Sequence, residues 1–117
     1  MLKSFFKIPL IIVITILVSS FTPLQSQSGI IYKVTSTHWG LKLTYTNEQG
    51  NIQQEDVNNS KWEKSFKANA GSFLNISAQS KMHNATIKVD ILKNGFVIET
   101  AESKGDFVIA SASTFLK

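Results

Sequence analysis

From Ile30 onward the chain alternates apolar and polar residues with a period of two rather than 3.6, the spacing of strands that bury one face. GLKLTYT shows it most cleanly: Leu41, Leu43 and Tyr45 point one way, Lys42, Thr44 and Thr46 the other. ATIKVDI repeats the pattern, with Ile87, Val89 and Ile91 inward against Thr86, Lys88 and Asp90 outward. In KWEKSFKANAGSFLNISAQS, Trp62 and Phe66 share a face with Lys64. After a turn at Ala70-Gly71, Leu74, Ile76 and Ala78 share another, which makes two strands joined by a short loop.

Turn signals divide the remainder. Asn47-Glu48-Gln49-Gly50 follows the first clean strand. Lys93-Asn94-Gly95 sits between IKVDIL and FVIETA, where Asn-Gly tolerates the positive φ that a tight hairpin demands. A third turn falls at Lys104-Gly105-Asp106. The pattern predicts seven to eight short strands, near 30–36, 41–47, 52–57, 62–68, 73–79, 86–92, 96–101 and 107–112. Strands at such spacing, with no helical pattern among them, predict an all-β fold, an antiparallel immunoglobulin-like β-sandwich, with a small barrel as the competing architecture.

Ahead of this domain the character changes. MLKSFFK is short and positive, IPLIIVITILVSSF is an apolar run, and TPLQSQSG is polar with small residues. That is the three-part plan of a secretory signal, with Ser26-Gln27-Ser28 offering small residues for cleavage before Gly29. Read as a helix, the run 8–21 spans about 21 Å, short of the ~30 Å hydrocarbon core of a bilayer. Extended to Leu24 it reaches the lower limit for an uncleaved anchor. Residues 1–28 are therefore expected to be a signal peptide or a membrane anchor, and 29–117 a β-sandwich domain. Either way the domain is expected outside the cytoplasm, in the periplasm or cell envelope, and secreted if the leader is removed.

Composition narrows the chemistry. All twelve basic residues are lysines and the formal charge is +4, but Lys3 and Lys7 lie in the leader. Without arginine the planar fork that grips phosphates and guanine edges is missing, so nucleic acid is not an expected partner. Cysteine is absent, which excludes a lipoprotein anchor and leaves the domain to hold by packing alone. Trp62, Phe66, Leu74, Ile76, Ile87, Val89 and Ile91 are the expected structural core, with Trp62 filling the space between the sheets.

Catalytic patterns are sparse. His38 and His83 stand beside turns far apart in the chain and lack metal-ligand spacing. The adjacent carboxylates Glu55-Asp56 face opposite sides of a strand, and neither a nucleophile elbow nor a phosphate loop occurs. No catalytic residue, metal site or cofactor is expected, and the chain reads as a non-enzyme. His38 and Trp39 are the candidate ligand or partner contacts, because an aromatic ring at a strand boundary can stack on a sugar or lipid if exposed, or cap the sandwich if not. Three N-x-S/T triplets begin at Asn58, Asn75 and Asn84 and matter only in a host that glycosylates them.

Four stretches taken together, IYKVTST, LTYTNEQGNIQQEDV, KWEKSFKANAGSFLNISAQ and IKVDILKNGFVIETAES, resemble the MmpS-type small membrane proteins, a family of transport accessory proteins known from mycobacteria. The resemblance covers about residues 31–117. It implies an amino-terminal membrane segment followed by an extracytoplasmic β-sandwich that assists transporters of the resistance-nodulation-division class. Partners would then be a membrane transporter or another envelope protein, and the membrane itself through an uncleaved leader. The family supplies no catalytic residues to carry over. This chain departs from the mycobacterial pattern in lacking a late cysteine pair and in its shorter apolar leader. A secreted carbohydrate- or lipid-binding module is the alternative reading.

Overall fold

The computed structural model describes residues 26–117, so the leader expected over 1–28 lies almost wholly outside the described residues. Eight strands follow one another: β1 (Gln27–Ser36), β2 (Leu41–Thr46), β3 (Ile52–Val57), β4 (Lys61–Asn69), β5 (Phe73–Ser80), β6 (Ala85–Lys93), β7 (Phe96–Gly105) and β8 (Ile109–Phe115). They form two four-stranded antiparallel sheets, ordered β4-β1-β6-β7 and β3-β2-β5-β8. β1 begins at Gln27 and its first residues already pair, Gln27 with Asn69 and Ser28 with Ala68, so the cleavage expected before Gly29 would fall inside a strand.

Period-two alternation becomes burial in the central strands. Ile30, Tyr32 and Val34 of β1, Leu41 and Leu43 of β2, Leu74 and Ile76 of β5, and Ile87, Val89 and Ile91 of β6 are buried between the sheets. Phe66 closes the core from β4, and the small Ala110 and Ala112 let β8 approach. Six of the seven expected core residues take their place. Trp62 also lies between the sheets, packed against the core with its ring 5.0 Å from that of Tyr45 on the opposite sheet, but it is only partly buried. It sits near the outer end of edge strand β4, where no further strand covers it.

The aromatic at the centre is Tyr32 instead. Its ring lies edge-on to Tyr45 and Phe66, at centroid distances of 6.0 and 5.0 Å. Its hydroxyl crosses to the other sheet, donating to the Thr46 carbonyl at 2.7 Å and accepting from the Asn75 N–H at 3.1 Å. The β2–β5 ladder ends at Tyr45 opposite Ile76, so Thr46 and Asn75 would be the next pair. The phenol takes the place of that missing ladder bond and leaves neither buried backbone group unpaired.

The outward faces hold their own small network. Asp90 is buried although it points away from the core, because its carboxylate accepts a 2.6 Å bond from the Thr100 hydroxyl across β7. The last predicted strand also shifts. A start near residue 107 is expected, but β7 runs on to Gly105 and β8 begins only at Ile109, since 106–108 are spent crossing from one sheet to the other.

Replacing Tyr32 by Phe strands the Asn75 N–H and the Thr46 carbonyl, and the expected cost is about 1–3 kcal/mol in urea denaturation. Burial pushes the Tyr32 phenol up to about 12, and burial with the Glu55 carboxylate beside it does the same for Tyr45. Both hold their protons more tightly folded than unfolded, where tyrosines titrate near 10. Their contribution is complete below about pH 10 and is lost as the pH rises to about 12, so the urea midpoint should fall across that window and less steeply in Tyr32→Phe.

Candidate functional site

Strand directions bring four connections to the end of the sandwich opposite the start of β1: 37–40, 58–60, 81–84 and 106–108. Backbone bonds tie them together. Gly40 N–H donates to the Asn59 carbonyl and Lys81 N–H to the Gly40 carbonyl, both at 3.3 Å, while Phe107 N–H donates to the Met82 carbonyl at 3.0 Å. Gly40 is buried with φ +99°, a conformation that lets the loop fold back beneath Trp39. Trp39 therefore points outward and is 65 % exposed. It does not cap the sandwich.

His38 is held by its neighbours. The Thr37 hydroxyl accepts from the Thr86 N–H and lies 3.0 Å from His38 Nδ1, and His38 N–H donates to Ser36 Oγ. His83, distant in sequence, belongs to the same end of the molecule. Its Nδ1 is 3.4 Å from Asp106 Oδ2 and its ring meets Phe107 edge-on at 4.6 Å. Asp106 also accepts from the Asn84 N–H at 2.8 Å, and that bond, more than His83, holds its carboxyl below the usual range.

Phe107 has φ +53°, a left-handed conformation that a bulky residue rarely takes. Its amide is committed to Met82 and its ring to His83, so the chain turns there with the ring displayed at 48 % exposure. Trp39, Met82 and Phe107 thus form an apolar set on a hydrogen-bonded loop platform, bordered by the exposed pair Lys81–Asp56 at 3.2 Å. Trp39 was legible in the sequence. Met82 and Phe107 were not, because the FVIASASTF run reads as continuous strand and nothing local says that Phe107 precedes it.

No family model matches the chain, and no curated protein compared with it shows significant similarity. The platform must be read from its own chemistry. His83 and Asp106 are exposed and no hydroxyl is bonded to His83 among the described residues. Nor do three His, Asp or Glu side chains converge as a metal-type group among those residues. The arrangement offers apolar contact area and a few hydrogen-bonding groups on a hydrogen-bonded base.

If the Phe107 ring serves contact rather than folding, Phe107→Gly relieves a left-handed residue while removing a half-exposed ring. Its unfolding free energy is expected to stay within about 1 kcal/mol of the parent. Phe66→Ala, in the core, is expected to lose about 3–5 kcal/mol in the same urea titration.

Proposed function

We propose that this protein is an exported, non-enzymatic interaction domain that serves as an accessory to a membrane transporter or another envelope protein, as the resemblance to MmpS-type proteins implies. The observation that carries the reading is the distal platform. Trp39, Met82 and Phe107 stand in solvent at 65, 39 and 48 % exposure on loops cross-linked by backbone hydrogen bonds. Aromatic residues and methionine on a preorganised surface are the composition of protein interface cores, because they add contact area at little cost in conformational freedom.

The reading places the domain in the periplasm or cell envelope, tethered if the leader is retained and secreted if it is removed. Its sandwich is immunoglobulin-like in the broad sense of two packed antiparallel sheets. The strand order departs from the immunoglobulin pattern, since β1 lies between β4 and β6 and not beside β2. The exposure of Trp39 favours a second reading, in which the ring stacks on a carbohydrate or lipid as a secreted binding module would require.

A photo-crosslinking residue placed at Trp39 in the full chain and activated in living cells separates the two. The accessory reading expects an adduct with an envelope protein, identified by mass spectrometry and weakened by Phe107→Gly. Absence of any protein adduct, together with a glycan-array or lipid-binding signal lost in Trp39→Ala, would replace it with the second reading. The mass and membrane partition of the same material report whether the leader remains.

A further inference from the structure

The opposite end of the sandwich, where β1 begins, carries a surface of another kind. Ten large apolar side chains are exposed among the described residues, and six of them, Ile52, Phe73, Phe96, Val97, Ile98 and Phe115, stand there. Part of the set is contiguous. Ile52 and Phe73 border a cleft of about 350 Å³, the Phe73 and Phe115 rings lie 5.2 Å apart, and Phe115 shares a second hollow of about 380 Å³ with Ile98.

Backbone geometry puts the remaining members outside. Asn94 and Gly95 both take positive φ, 49° and 89°, and turn β6 tightly into β7. Pairing then passes from Ile91 opposite Glu99 to Leu92 opposite Val97, which leaves Ile98 as an extra residue in the strand. A bulge at a sheet edge re-aims side chains. Alternation is lost, and Phe96, Val97 and Ile98 all face solvent at 76, 56 and 39 % exposure.

Connectivity, more than charge, points to the occupant. Lys67, Lys93 and Lys117 accompany the patch against Glu48 and Glu99, and Lys93 Nζ donates to the Lys117 carbonyl at 3.0 Å. The chain enters the domain at this end, with Gly29 and Asn94 exchanging bonds of 2.9 and 2.8 Å beside the Asn94-Gly95 turn. The apolar run 8–21 lies directly upstream. A second copy could pair with the free edges of β3, β7 or β8, but such pairing would engage an edge along its length, whereas this patch is confined to the one end where the chain enters.

We propose that this end docks on a lipid bilayer, with Phe73, Phe96 and Phe115 at the headgroup level and the lysines facing anionic phosphates. Side chains of this type seat about 5–10 Å into the headgroup and acyl boundary. The inference does not depend on the accessory reading, which concerns the distal platform. That platform would stand about 30 Å from the lipid, the length of the ten residues of β1.

The cysteine-free chain makes the test direct. Full-length protein carrying a single fluorophore on Phe96→Cys, Phe115→Cys or Trp39→Cys is mixed with vesicles of zwitterionic and anionic phospholipid that contain headgroup-level nitroxide quenchers. Docking gives quenching at positions 96 and 115 several-fold above that at 39. A leader that merely tethers the domain leaves all three unquenched, and equal quenching at 39 and 96 means no preferred orientation; either result overturns the proposal. Shielding of position 96 that needs no lipid and comes with a doubled particle mass would assign the patch to a second copy and also overturn it. As a control on the labels, Phe96→Glu combined with Phe115→Glu, labelled through Ile52→Cys, should melt as the parent does and lose its quenching. Quenching retained there would count against the proposal as well.

Discussion

Among the described residues the Tyr32 hydroxyl is the one polar bridge through the middle of the sandwich, and the arrangement of the two sheets depends on it. Two sheets pressed together by apolar side chains alone can slide, since hydrophobic contact has no preferred direction. A phenol that accepts from Asn75 and donates to Thr46 has both direction and length. It fixes β1 of one sheet over the gap between β2 and β5 of the other at a single register. In a chain without disulfides, that bond and the interlocked rings of Tyr32, Tyr45 and Phe66 do the aligning that a covalent cross-link would otherwise perform.

The two ends of this frame differ in how their apolar side chains come to be outside. At the distal end loops bonded to one another hold up Trp39 and Phe107 singly, each on a backbone turn that leaves it nowhere else to go. At the proximal end the exposed residues belong to the strands themselves: Phe73 and Phe115 take the outward phase of β5 and β8, and a bulge beside a tight hairpin exposes Phe96, Val97 and Ile98. The first arrangement is a set of discrete contacts, suited to a surface with matching pockets. The second is an apolar rim mixed with lysines, suited to a partner without fixed shape.

Much of the framework was legible in the sequence because alternation reports burial directly. All eight strands fall close to their expected places, and Leu74, Ile76, Ile87, Val89 and Ile91 are buried as their spacing requires. Period alone does not say which strand lies at an edge, and Trp62, on edge strand β4, was overvalued for that reason. Tyr32 was undervalued because its importance lies in a bond to residues 14 and 43 positions away. The two exposed ends were the least legible. Trp39 could be named from its place at a turn, but the company of Met82, His83 and Phe107 follows from strand order, which no local pattern encodes.

Strand order has a further consequence, in time rather than space. β1 pairs with β4 and β6 and with neither of its nearer successors, so the first strand to be synthesised has no complete place in a sheet until the chain has grown past Lys93. Closing such long loops is slow compared with forming a hairpin between neighbours. β2 and β3 can close as a hairpin early, whereas β1 stays short of its full pairing for most of the chain's emergence, the first strand in sequence and among the last to be completed.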